Sequence, residues 1–109
     1  MHQFEIHYNG EIFKVYSFEN IQITVDNEGY YNISNVCDFI HLIVKDGGWL
    51  NEYLKNKDMT VYNILKYREG CCRYVNGFYA KSDLVKLMCE HIDESYAKKI
   101  LMLIKILEE

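Results

Sequence analysis

The dipeptide Asn9-Gly10 constrains this chain more than any other feature. Asn-Gly accepts positive φ at both residues, so it closes a two-residue turn whose twist matches that of paired strands. Phe4, Ile6 and Tyr8 alternate with polar residues before it, and Phe13 and Val15 alternate after it. A two-residue turn pairs Tyr8 with Glu11, Ile6 with Phe13 and Phe4 with Val15. The apolar side chains then share one face, and a slip of one residue would turn them all to the other. A hairpin over 3–16 is predicted.

A further strand is expected over 21–25, where Ile21, Ile23 and Val25 alternate with Gln22 and Thr24. Asp26-Asn27-Glu28-Gly29 turns it back into Tyr30-Tyr31-Asn32-Ile33. Ser34 or Asn35 then caps a helix carrying Val36, Phe39, Ile40 and Ile43 on one side, and Gly47-Gly48 ends it. Short helices are predicted at about 49–56, with Leu50, Tyr53 and Leu54 inward, and at about 60–68, with Val61, Ile64 and Leu65 inward. Asn76-Gly77 signals another hairpin over 72–81, pairing Val75 with Phe78 and Tyr74 with Tyr79. Ser82 caps a helix reaching about Ile92. Asp93 starts the last one, with Ala97, Ile100, Leu101, Ile104 and Leu107 at helical spacing. The expected architecture is α+β, with small hairpins packed against about five helices. At 109 residues, one domain is expected over 1–109, with a core of about 19–107 behind the hairpin at 3–16.

No stretch approaches the roughly 18 apolar residues of a membrane span, so a soluble protein is expected. The opening MHQFEIHYNG holds an acid and no apolar core of signal-peptide length. Cys37, Cys71, Cys72 and Cys89 form no CxxC and are expected to be reduced and mostly buried, in a reducing compartment. The nearest approach to metal spacing is Cys89-x-His91, which needs further ligands from scattered elements, so no metal or other cofactor is expected. Cys37 and His41 lie one helical turn apart, but the periodicity points them differently, as a packed thiol and a surface imidazole. There is no GxSxG, P-loop or HExxH, and no enzyme is expected.

The net charge of −4 is unevenly distributed. Residues 1–44 hold one base against six acids, 45–81 hold seven bases against four, and 82–109 hold four against six. Local potential steers an anion even where net charge opposes it. Two short helices followed by a basic hairpin fit a winged helix-turn-helix, whose second helix enters the major groove while the wing tracks the backbone. Lys55, Lys57, Lys66, Arg68, Arg73 and Lys81 would meet phosphates. Asn63 with Tyr62 or Tyr67 would touch base edges, and Asn76 would sit on the wing.

Four landmarks carry a resemblance. Gly29-Tyr30-Tyr31-Asn32-Ile33-Ser34-Asn35-Val36-Cys37 resembles the GYxNATKLC signature of KilA-N domains. Trp49-Leu50 with Asn56 is similar to that family's tryptophan motif. Gly77-Phe78-Tyr79-Ala80-Lys81-Ser82-Asp83-Leu84 is similar to its glycine-aromatic-H-P-x-L segment, and Asp93-Glu94-Ser95-Tyr96-Ala97 to its S-P-x-F-A. The resemblance implies a domain of phages and large DNA viruses, poxviruses included, related to fungal APSES domains. It implies binding of double-stranded DNA inside the host cell, at cytoplasmic replication sites or in the nucleus. Some poxvirus members add a RING finger with ubiquitin-ligase activity; no such cysteine-rich module lies within these 109 residues, and ligase activity is not implied. Asn35 replaces the signature's lysine and Lys81 stands where His-Pro is usual. Fewer phosphate contacts mean modest affinity and a shallow salt dependence, aided by homodimerisation. The alternative expectation is a module that engages a host or viral protein through exposed tyrosines and the C-terminal helix.

Overall fold

A computed structural model describes residues 1–35, 52, 54–56, 65–69 and 72–108. Its elements are β1 (His2–Tyr8), β2 (Glu11–Phe18), β3 (Ile21–Val25), β4 (Tyr31–Asn32), a 3-10 turn (Ile33–Asn35), β5 (Leu65–Arg68), β6 (Gly77–Ala80), α1 (Ser82–Met88), a second 3-10 turn (Cys89–His91) and α2 (Glu94–Glu108). Residues 52 and 54–56 are also α-helical.

The first hairpin has the predicted register, with Tyr8 opposite Glu11, Ile6 opposite Phe13 and Phe4 opposite Val15. Asn9 and Gly10 have φ of 55° and 80°, as a type I′ turn requires. All strands join one antiparallel sheet in the order β1-β2-β3-β4-β6-β5. β4 thus pairs with β6 across a long stretch of sequence, which draws the C-terminal third of the chain onto the N-terminal strands.

Because opposed residues share a face, the two sides of the sheet differ in what covers them. Ile21, Ile23, Tyr31 and Ala80 pack with Leu84, Val85 and Met88 of α1 and Ala97, Ile100, Leu103 and Ile104 of α2. Each fully buried Leu or Ile there contributes roughly 1.5–3 kcal/mol. Ile104 and Ile100 fall where helical spacing puts them, whereas Leu101 faces solvent and Leu103 replaces it in the core. On the opposite face Phe13, Val75 and Tyr79 form a smaller cluster, packed by Ile6, Tyr30 and Cys72.

The α+β class is as expected, but four parts of the sequence reading need correction. Among the described residues the α-helical segments number three, not about five: the one that includes residues 52 and 54–56, α1 and α2. The helix expected at 60–68 does not reach its predicted end, because Leu65–Arg68 is strand β5, paired with β6 from Leu65 opposite Ala80 to Arg68 opposite Gly77. The hairpin expected over 72–81 is instead β5–β6. Residues 73–75 form a turn in which the amides of Val75 and Asn76 donate to the Cys72 carbonyl. Ser82 is the first residue of α1 rather than its cap; Lys81 holds that position without a side-chain bond. Asp93 does open α2, accepting a hydrogen bond from the Tyr96 amide at 3.1 Å. The helix expected from Val36 to Ile43 lies outside the described residues.

Asn32 locks the β6 end of the sheet. Its buried side chain donates to the carbonyls of Tyr74 and Asn76 at 3.3 and 3.0 Å and accepts from the Ser34 amide at 3.0 Å. Gly77 passes so close that a Cβ there would lie 2.6 Å from Asn32 Oδ1 and 2.7 Å from Ser34 Oγ, at a φ of +139°. Only glycine fits.

Candidate nucleic-acid interface

β5 sends its side chains alternately to the two faces of the sheet. Lys66, opposite Tyr79, and Arg68, opposite Gly77, lie on the Phe13–Tyr79 side, whereas Tyr67, opposite Phe78, lies on the other. The fates of Lys66 and Arg68 then diverge.

Arg68 is drawn inward. Its guanidinium donates to Glu11 Oε2 at 2.5 Å and to Asp26 Oδ2 at 3.0 Å, between the rings of Phe13 and Tyr79 at 5.4 and 5.6 Å from their centroids. Burial disfavours its charge, but the bonds and charges of Asp26 and Glu11 outweigh this and hold its pKa above the ordinary value. Asp26 is itself built in: its Oδ1 accepts from the amides of Glu28 and Tyr30, both at 2.9 Å, and its side chain is fully buried. This arginine ties the first hairpin, the β3–β4 turn and β5 together. Its carboxylate partners cancel its charge and leave little of it for a phosphate.

Lys66 stays near the surface. Its ammonium lies 4.1 Å from the centroid of the Tyr30 ring, and that of Lys81, just past β6, lies 5.9 Å from the same centroid. Two cations fifteen positions apart in sequence thus approach one aromatic ring. Glu28 accepts a hydrogen bond from Lys66 at 2.6 Å, which holds the carboxyl below its usual pKa. Among the described residues Lys81 has no carboxylate partner, so the group of two ammoniums and one carboxylate keeps a net positive charge.

The other expected contacts are distributed more widely. Arg73 stands exposed in the β5–β6 loop, donating to the Tyr74 hydroxyl at 3.0 Å and lying over the Tyr74 ring; both interactions stabilise its charge. Tyr74 in turn meets Phe4 of β1 edge-on. Asn76 is exposed beside Gly77, with its carbonyl accepting from Asn32. Tyr67 is 60% exposed and leans on Phe78. Lys55 is exposed in the segment 54–56. Lys57, Tyr62 and Asn63 lie outside the described residues, so the groove-facing surface expected of 60–68 rests there on sequence alone.

Tyr30 and Glu28 were not singled out from sequence as part of the site. The signal was the acid-glycine-tyrosine run 28–30, an anionic turn followed by a flat ring; its meaning depends on β6 lying beside β4.

Among the described residues no three His, Cys, Asp or Glu side chains stand together as a metal site would require. Cys89 is in the core, where burial pushes its thiol up to about 11. Cys37 and His41 lie outside the described residues. No described helix is long and apolar enough to cross a membrane. Comparison with known proteins finds no matching family model, no similar curated protein and no similar solved structure.

Proposed function

We propose that this chain is a non-enzymatic module that holds double-stranded DNA by its phosphate backbone, with a KilA-N-type winged helix-turn-helix and β5–β6 as the wing. The observation that carries this is the convergence of Lys66, in β5, and Lys81, just past β6, on Tyr30. Paired ammoniums at one aromatic ring suit adjacent backbone oxygens. Lys66 is already paired, but both partners are substantially exposed, and a surface ion pair of that kind is weak enough for a phosphate to displace. Arg73 on the loop of the same hairpin supplies a third contact. The four landmarks read from the sequence, in their order along the chain, are what motivate the family part of this reading. The same reading implies action within an infected cell, at cytoplasmic replication sites or in the nucleus.

Three phosphate contacts imply a slope of about −2.7 for log affinity against log salt. Fluorescence anisotropy with a random duplex across a salt series measures it. Replacing both lysines, Lys66→Ala with Lys81→Ala, should flatten the slope by roughly 1.8 and weaken binding at low salt. Affinity indifferent to salt, or to the double replacement, would remove this function.

A second reading is favoured by a separate observation. Leu101, Met102 and Ile106 are exposed along α2 in a chain of net charge −4, which suits a host or viral protein partner. Charge substitution at Met102 that abolishes a protein contact while sparing duplex binding would establish it.

A further inference from the structure

We infer that β1 is a self-pairing edge, and that two copies of this chain join antiparallel through it about a two-fold axis at Ile6. The six-stranded sheets would thereby become one continuous sheet.

β1 is the outermost strand of the sheet, and among the described residues it pairs with β2 alone. It runs seven residues, His2–Tyr8, with no proline, no lysine and an unbroken one-to-one register against β2. Proline, lysine and bulges are devices by which exposed edges are usually protected, and β1 has none of them; its one acid, Glu5, is matched in the pairing below. The direction of its free backbone groups follows from the turn. A two-residue turn makes Tyr8 and Glu11 a hydrogen-bonded pair, so Tyr8, Ile6 and Phe4 direct their amides and carbonyls to β2. Gln3, Glu5 and His7 direct theirs to the open side.

The side chains select the register. With Ile6 opposite Ile6 of the second copy, Phe4 faces Tyr8 and Glu5 faces His7, each twice by symmetry. Ile6 forms the close, non-hydrogen-bonded pair at the axis, and the Glu5–His7 pairs exchange the outward backbone bonds, as the ladder geometry demands. On one face the row Phe13-Ile6 continues into Ile6-Phe13 of the other copy, and the exposed rings of Phe4 and Tyr8 cover each other. On the other face carboxylate meets imidazole; within one chain the two already approach to 3.2 Å. Centring on Glu5 instead would set two carboxylates opposite each other, and like charges in direct register destabilise a pair. Centring on Phe4 would put Gln3 opposite Glu5 and His2 opposite Ile6, leaving Tyr8 without a partner. Of these registers the Ile6 one alone matches ring with ring and carboxylate with imidazole. Nothing in it depends on whether the lysines at Tyr30 meet DNA.

Sedimentation equilibrium of the full chain without nucleic acid tests the pairing, and cysteine scanning tests the register. The wild type should show a concentration-dependent monomer–dimer equilibrium. Of Phe4→Cys, Glu5→Cys and Ile6→Cys, the last should give the most intermolecular disulfide at its own position, read by peptide mass spectrometry. Glu5→Pro removes an outward amide without breaking a β1–β2 bond, and should raise the dimer dissociation constant roughly tenfold to hundredfold. Should that variant fail to fold, His7→Glu serves instead: it should dissociate the dimer, and Glu5→His in the same chain should restore it. A monomer at every concentration, a dimer indifferent to these changes, or a cross-link maximum at position 4 or 5 would overturn the inference.

Discussion

Replacing Arg68 by methionine separates a structural cation from a binding one. The substitution keeps most of the apolar stem between Phe13 and Tyr79 but removes the donors that meet Glu11 and Asp26. Asp26 Oδ2 is left buried without its partner, whereas Oδ1 keeps the amides of Glu28 and Tyr30. Breaking a buried pair by deleting one member costs about 3–5 kcal/mol. The retained amide bonds and the 18% exposure of the Arg68 side chain reduce that to roughly 2–4 kcal/mol. Urea denaturation should therefore show the midpoint falling by about 1–3 M at unchanged slope. Glu11→Gln should cost less in the Arg68→Met background than alone, since the pair it would break is already gone. At temperatures where the variant is folded, its duplex affinity should stay within about twofold of wild type, because phosphate contacts rather than total charge set it. The reasoning is refuted if the urea midpoint holds while duplex affinity drops several-fold: the guanidinium would then be a phosphate ligand and its carboxylate partners incidental.

Asn32→Ala should destabilise the chain by about 2–4 kcal/mol in the same denaturation assay, because it strands the Tyr74 and Asn76 carbonyls and the Ser34 amide together. Asp93→Ala removes the bond to the Tyr96 amide and should cost about 1 kcal/mol, read as a lower melting temperature with duplex affinity unchanged. Cys89, whose thiol burial pushes up from 9.0 to about 11, should resist alkylation at pH 8 until the chain unfolds, as site-resolved mass spectrometry would show. The fold favours the neutral thiol, so this contribution is present in full below about pH 9 and lost as pH rises through about 11.

What could be read from sequence depended on how local each cause was. Asn9-Gly10 dictates its turn through its own backbone, and the register of β1 with β2 followed. The next turn, Glu19-Asn20, joins Phe18 to Ile21 just as tightly but has no glycine; Glu19 takes a φ of 54°, and Lys99 of α2 bonds both Glu19 and Asn20. A tertiary contact 79 positions away supports it, and no local signal announces it. Asn76-Gly77 misled for a related reason. The glycine is there for its approach to Asn32 and Ser34, not to close a turn. Leu65 completed a helical spacing with Val61 and Ile64, yet the alternation Leu65, Lys66, Tyr67, Arg68 satisfies a strand equally well, and pairing with β6 decided between them. The candidate site shows the same division. Positive charge in the central segment was plain, but whether a cation is spent internally or offered outward depends on carboxylates far along the chain. Arg68 finds Glu11 and Asp26, 57 and 42 positions away, and Lys81 finds none among the described residues.

Removing the competitor rather than the cation tests the phosphate-binding surface most directly. Glu28→Gln keeps the shape of the β3–β4 turn and frees Lys66 from its competitor, so duplex titrations at fixed low salt should show tighter binding, with the slope still about −2.7 because Lys66 already meets a phosphate in the wild type. Binding that is unchanged or weaker after this substitution would mean that the lysines over Tyr30 do not face the duplex.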